Sequence, residues 1–412
     1  MRPQGLAGLI VGLLTGLGHA EDPPTTTTTP TQTRTPPPDL GIWKLDVSCA
    51  PYYKDIERAY SDVGKMLAKT VKDLEIVLEN RPGKKPIKNQ KTWDRIGRAM
   101  GPMFGFVPDP NKVETFQDKY WEDLWFKSSN VYGRMSRAFQ GDQTLKVGYG
   151  CRQPTILCSD DRWEWKDREA EDPLLEGTGK KLKDRPESTS DKGVQWPGAY
   201  YWDGRLWWRD GPRKIPSLCE GLTGGYTKTN LDMIQLCDST LKDDKAMKGS
   251  PVLASGSLTG QKLDQWTETL PNVLFHEFSH WFGANGKGLE TDRRVLDQNA
   301  VDKDGRWLYR DASGTYSPQK KSLSNAERVK QGLTRVTTYR FNNILNLATH
   351  FNSKKAAQRA GPDKCLFNAD SYNVFGTMMY LDAYDWSTGK AASVEKHNTP
   401  PAVPTSTTTK IP

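Results

Sequence analysis

Histidine is scarce in this chain: its 412 residues include only five. No Asn-x-Ser/Thr sequon is present, so N-glycosylation is not expected. None of the cysteine spacings is Cys-x-x-Cys, which argues against a cysteine zinc cluster. The formal charge is +8, yet basic and acidic residues are interspersed with no long Lys/Arg run, so nothing supports nucleic-acid binding. Beyond the first 20 residues no apolar stretch could cross a bilayer. The hydrophobic fraction is low at 35%, but 14 Trp, 15 Tyr and 12 Phe supply core volume.

The N-terminus joins Arg2 to an apolar run from Gly5 to Gly18 that ends Gly18-His19-Ala20. Small residues at the last and third-last positions fit a signal-peptidase site after Ala20, and the run is short for a membrane span. The expectation is a secretion signal over 1–20 and a mature chain that is extracellular, monomeric and not inserted in a membrane. Six cysteines, all beyond the signal, agree with an oxidising setting. Spacing favours Cys151–Cys158 and Cys219–Cys237 as local disulfides, leaving Cys49–Cys365 as a long-range tie, among fifteen possible connectivities.

Residues 21–40 are Thr/Pro-rich and have no apolar material to fold on, and 396–412 look the same. Between them, 41–395 reads as one domain. Apolar residues recur at three- and four-residue steps from Tyr52 to Asn80, predicting a long amphipathic helix stopped by Arg81-Pro82-Gly83. Residues 159–198 read as a long exposed excursion. Tyr200 to Trp208 reads as a hairpin turning at Asp203-Gly204, its aromatics serving packing or, alternatively, a sugar- or peptide-binding platform. Leu231 to Cys237 is a short strand. Further helices are predicted over 323–351 and 369–381. The fold class is α+β, mostly helical with a small sheet.

Two of the rare histidines stand four residues apart in His276-Glu277-Phe278-Ser279-His280. On a helix they share one face and can reach the same ion, while Glu277 can hold and deprotonate a water on it. Pro271 suits the first turn and Gly283 the exit. Leu274, Phe275, Phe278, Trp281 and Phe282 spread over the opposite side, so the helix can bury one face and present ligands from the other. A core helix with two locally bonded histidines is the plainer alternative, but it leaves Glu277 without a partner.

Three pieces between about 230 and 385 resemble the secreted fungal aspzincins, the deuterolysin and peptidyl-lysine metalloendopeptidase group. They are the strand ending in Cys237, the His276–His280 motif, and Asn368-Ala369-Asp370-Ser371-Tyr372-Asn373-Val374-Phe375. The resemblance implies a zincin-like fold, Zn2+ and hydrolysis of peptide bonds. The family's third ligand is the aspartate of Gly-Thr-x-Asp-x-x-Tyr-Gly, and that motif is not intact here. In Leu333 to Arg340, Tyr339 matches the tyrosine that donates to the oxyanion in the family. Val336 stands at the aspartate, and Arg340 at the final glycine.

Valine cannot bind zinc, so either the third ligand comes from elsewhere or full coordination is lost. Asp292 is the first choice, with Glu290 and Asp297 close behind and Asp302 and Asp304 further on. Asp302-Lys303-Asp304-Gly305 resembles part of a calcium loop but lacks the later ligands, so a plain turn is expected. Asp370 is expected to bond helix ends near the site rather than metal, and His350 and His397 have no partner motif. The leading function is a zinc metalloendopeptidase acting on protein or peptide, with Glu277 as base and Tyr339 as oxyanion donor. Two other readings stand beside it: a non-catalytic zinc scavenger or adhesin, motivated by Val336, and a wall- or carbohydrate-binding protein built on the Trp-rich hairpin.

Overall fold

The computed structural model describes residues 36–79, 90–105, 130–147, 150–190, 193–209, 211, 219, 224–284, 294–350 and 361–394. The signal at 1–20, nearly all of the Thr/Pro stretch, the tail at 396–412, and Glu290, Asp292 and His397 lie outside the described residues. Helix and sheet are mixed, as an α+β chain requires.

The long amphipathic pattern folds as α1 (Tyr53–Glu79), which buries Ile56, Ala59, Val63, Met66, Leu67, Leu74 and Val77 along one side. Helix α2 (Gln90–Phe104) packs on it, joined by a buried Arg95–Asp73 ion pair at 2.5 Å. A third helix, α3, covers 130–139. Strands β1 (Lys44–Leu45) and β2 (Thr155–Leu157) pair in parallel.

Next come β3 (Glu164–Asp167), β4 (Gly198–Trp202) and β5 (Arg205–Arg209), a separate antiparallel sheet. The β4–β5 turn is the predicted one, with Asp203 at φ 43° and Gly204 at φ 74°, the left-handed pair that a two-residue hairpin turn needs. The excursion over 159–198 therefore contributes a strand, β3, to this sheet. Tyr200 and Trp202 are buried with Trp163, Leu157 and Met233, so most of the aromatic cluster is packing.

The main sheet is completed by β6 (Gly225–Lys228) and β7 (Met233–Leu236) in the order β1-β2-β7-β6. β1, β2 and β7 run parallel, and β6 runs antiparallel at the edge. Short helices α4 (Asp238–Leu241) and α5 (Asp244–Lys248) lead to α6 (Leu270–Ala284), which carries the histidine motif. Strands β8 (Trp307–Arg310) and β9 (Tyr316–Gln319), helix α7 (Asn325–Lys330) and strand β10 (Thr334–Arg335) form a small lobe. Helices α8 (Arg340–Thr349), α9 (Pro362–Cys365) and α10 (Ala369–Tyr380) follow, then the β11 (Tyr384–Asp385) and β12 (Ala392–Ser393) pair. Among the described residues no helix is long and apolar enough to cross a membrane.

Two expectations need correcting. The helix predicted over 323–351 is two helices separated by a strand. Gly332, at φ 63°, ends α7, and Thr334 to Thr338 run extended because Val336, Thr337 and Thr338 are β-branched and find strand partners. The apolar spacing continues on both sides of the break, which hides it.

The disulfides are Cys49–Cys158 and Cys219–Cys237, while Cys151 is a free exposed thiol and Cys365 a free buried one. Cys158 directly follows β2, while Cys151 lies in the bend before it. The parallel register Leu45↔Ile156 brings Cys49 to Cys158 instead. Cys365 is enclosed in the helical core beside Ser371 and the Met103 carbonyl.

Candidate metal centre

Helix α6 is anchored by its apolar face. Leu270, Leu274, Phe275, Phe278, Trp281 and Phe282 are all essentially inaccessible. Trp43 stacks on Phe278 with centroids 4.9 Å apart and meets Trp281 edge-on at 5.1 Å. Helix α10 lies close enough that a Cβ on Gly376 would collide with the Phe275 ring, so glycine is what permits the contact. A buried network fixes the two helices together: Asn272 Nδ2 donates to Asn373 Oδ1 and to Thr377 Oγ1, both at 2.8 Å.

The opposite face presents His276 and His280, their Nε2 atoms 3.1 Å apart. Each ring is oriented through its other nitrogen. His280 Nδ1 donates to the Val295 carbonyl at 2.9 Å, and His276 Nδ1 lies 3.4 Å from Asp370 Oδ1. With Nδ1 carrying the proton, the neutral rings turn Nε2 lone pairs toward one point.

The third group at that point is Asp297. Its Oδ1 is 3.2 Å from His276 Nε2 and 3.4 Å from His280 Nε2. Ligand atoms on a tetrahedral zinc, about 2.0–2.1 Å from the ion, are about 3.3–3.4 Å apart, close to this triangle. Oδ1 is buried and accepts no conventional hydrogen bond. Two imidazole nitrogens and a carboxylate oxygen converging this closely need a positive charge among them, either a proton on an imidazole or a cation. His276, His280 and Asp297 are thus a group that could hold a metal ion.

The segment bearing Asp297 returns over α6 in a fixed register. A Cβ on Gly283 would overlap Val295, so the glycine read as a helix exit also makes room for the returning chain. Leu296 N donates to the Phe367 carbonyl at 2.8 Å and Ala369 N to the Leu296 carbonyl at 3.3 Å, pinning the segment to the start of α10. The Asp297 carbonyl accepts from Arg335 at 2.7 Å.

Tyr339 approaches from the far side of the small lobe. Its hydroxyl donates to Asp297 Oδ2 at 3.0 Å, and its ring meets His276 edge-on at 5.5 Å. Arg340, at the position of the family's final glycine, holds φ 70°, so the backbone keeps a left-handed conformation without the glycine. Arg340 N donates to Asp370 Oδ2 at 2.9 Å, so Asp370 caps the start of α8 while facing His276.

Glu277, 3% exposed, is held from β6. Thr227 Oγ1 donates to Glu277 Oε2 at 2.6 Å, and a Cβ on Gly225 would lie 2.8 Å from Glu277 Oε1. Burial pushes the Glu277 carboxyl above its ordinary range, against the opposing pull of His276, His280 and the Thr227 hydroxyl. Burial is the largest effect and would lower both histidines. The Asp297 charge and hydrogen bond, together with the Glu277 charge and, for His276, the Asp370 contact, outweigh it and raise them, His276 well above the usual value. Asp297 is held well below the carboxylate range, since the charges of His280 and His276 overcome its own burial. Desolvation and the charges of Asp297 and Glu277 raise the Tyr339 hydroxyl, so it is a donor at any ordinary pH.

The structure thus brings together His276, Glu277, His280, Asp297 and Tyr339, and among the described residues Asp297 is the carboxylate that meets both rings; Asp292 and Glu290 lie outside them. Asp302 accepts from Asp304 N and Arg306 N and pairs with the Arg306 side chain, which makes it a turn residue. Val336 pairs as extended chain with Ala300 and Leu308. Sequence reasoning missed Thr227 and Gly225. Glycine at the start of a strand signals a close approach of another group, here the Glu277 carboxylate. No known protein family, curated protein or solved structure matches this chain.

Proposed function

We propose that the protein is a secreted, zinc-dependent metalloendopeptidase of aspzincin-like type, with His276, His280 and Asp297 as the protein ligands. The observation carrying this reading is the convergence of two oriented imidazoles and an otherwise unsatisfied carboxylate oxygen, with a buried glutamate next in sequence to one of them. Two nitrogens and one carboxylate oxygen suit zinc, and three protein ligands are the number found where a position stays open for chemistry. Two disulfides and the N-terminal apolar run support an extracellular setting.

When bound, zinc would supply Lewis acidity toward the scissile carbonyl and lower the pKa of a water to about 7. Glu277, oriented by Thr227 and raised by burial, takes the proton of the attacking water and returns it to the leaving amine. Tyr339 donates to the oxygen on which charge develops, exchanging its bond to Asp297 for one to substrate. Strand β6 gives the peptide its direction. It is the edge of the main sheet and touches Glu277, so an extended substrate can add to it through backbone hydrogen bonds.

The case for a zinc protein without catalysis rested on the missing aspartate at Val336, and Asp297 supplies that carboxylate from another segment. The test is the purified chain, reconstituted with zinc, on denatured casein with and without a chelator. Cleavage that stops with chelation and returns with zinc is expected. Stoichiometric zinc binding with no cleavage would overturn the peptidase reading in favour of scavenging.

A further inference from the structure

Along β6, side chains alternate between two faces. Gly225 and Thr227 face α6 and Glu277. Tyr226 and Lys228 face the other way, toward the β3-β4-β5 sheet, where Tyr226 packs with Trp207 against a buried cluster. The Lys228 ammonium lies 5.2 Å from the Trp207 ring centroid and 5.4 Å from that of Tyr226. The Arg209 guanidinium covers Trp207 at 4.6 Å. Two cations and two aromatic rings thus line the rim of the strand whose next side chain holds the base.

Lys228 is half-buried, and among the described residues no carboxylate pairs with it. Its cation–π contacts fix the ammonium, and among the described residues nothing compensates its charge. A chain added to β6 places alternate side chains along this rim, within reach of Lys228. Among the described residues β6 has a strand neighbour on one side only, and that free edge favours a peptide over a glycan as occupant, while the charge selects an acidic one.

We infer that the Tyr226–Lys228–Trp207–Arg209 rim selects peptides carrying Asp or Glu near the cleaved bond. This rests on the peptidase reading and adds a preference to it. The experiment uses the full zinc-loaded protein and a set of fluorescence-quenched peptides sharing one cleaved bond. Asp, Ser or Lys is placed in turn at each of the four residues on either side of that bond. In at least one position Asp should raise kcat/KM about fivefold over Ser, the size of one partly exposed charge pair. Lys228→Met should erase that gain and leave the Ser peptide unchanged. Cleavage of all peptides at equal rates, or a Lys228→Met variant slowed equally on Asp and Ser peptides, would overturn the inference while the peptidase stands.

Should no peptide be cleaved, fluorescence anisotropy of the labelled Asp and Ser peptides on the Glu277→Gln protein decides separately. Tighter binding of the Asp peptide that Lys228→Met removes supports the rim without the peptidase. Equal binding of both peptides, or capture of a sulfated oligosaccharide in preference to either, refutes it.

Discussion

His276, Glu277 and His280 reach the site on one helix whose other face, which carries Phe275 and Phe278, is buried against Trp43 and α10. Asp297 and Tyr339 reach it on two extended segments that are 42 residues apart in sequence and pair with each other. Thr338 N donates to the Gln298 carbonyl, Ala300 N to the Val336 carbonyl and the Tyr339 hydroxyl to Asp297. The helical half is positioned by continuous packing, so its side chains are fixed before any ion arrives. The extended half is positioned by a few backbone bonds: Val295 to His280, Leu296 to the start of α10, and Asp297 to Arg335. The contrast shows why the histidine helix can be read from a short motif while the carboxylate that meets it cannot.

Solvent access should separate the halves most strongly. Cys365 lies in the helical core, and burial pushes its thiol up to about 12. At pH 8 a thiol of that pKa is ionised in about one molecule in ten thousand, and the fraction grows tenfold per pH unit until the pKa is reached. Iodoacetamide should therefore label Cys151 alone in native protein, and both free thiols after denaturation, as mass spectrometry would show. Equal native labelling of the two would mean that the helical half opens as freely as the surface.

Glu277→Gln acts within the helical half and should lower kcat about a thousandfold while leaving zinc content at one per chain. Loss of the metal in this variant would make Glu277 a structural residue. In the extended half, Asp297→Ala should weaken zinc by more than about a hundredfold, beyond what an outer-shell change causes. Competition with a chromogenic chelator measures it, and Asp292→Ala is the control. Full zinc affinity in Asp297→Ala with loss in Asp292→Ala would move the third ligand.

Tyr339→Phe keeps the ring against His276 and removes the hydroxyl, so kcat should fall about tenfold to a hundredfold with KM little changed. A rise confined to KM would instead make Tyr339 a binding residue. The smallest effect concerns the backbone. Arg340 holds a left-handed conformation that costs a non-glycine residue about 1 kcal/mol. Arg340→Gly should raise stability by about 0.5–1 kcal/mol in urea titrations, since the exposed Glu268 partner it gives up contributes little. A destabilised variant would show that the Glu268 pair, not the turn, holds the junction.

Local patterns carried much of this molecule. The amphipathic spacing gave α1 to within a residue or two at each end, and Asp203-Gly204 gave the hairpin turn. Asn368 to Phe375 marked α10, and Asp370 does bond the start of α8. What escaped depends on contacts distant in sequence. Cys49 meets Cys158 only because β1 and β2 pair, a register that no spacing of cysteines encodes. The break between α7 and α8 comes from strand pairing with β8, which overrides an apolar period running through it. Asp297 was one of several acids after the glycine loop. What singles it out is Gly283, which lets Val295 settle on the helix two residues earlier.

The small β8-β9-β10 lobe lies between Asp297 and Tyr339 in the chain, and these two residues close its ends on each other. On the proposed reading, the residues within that insert support two groups of the centre at once, so a substitution that loosens the lobe would disturb Asp297 and Tyr339 together without replacing either of them.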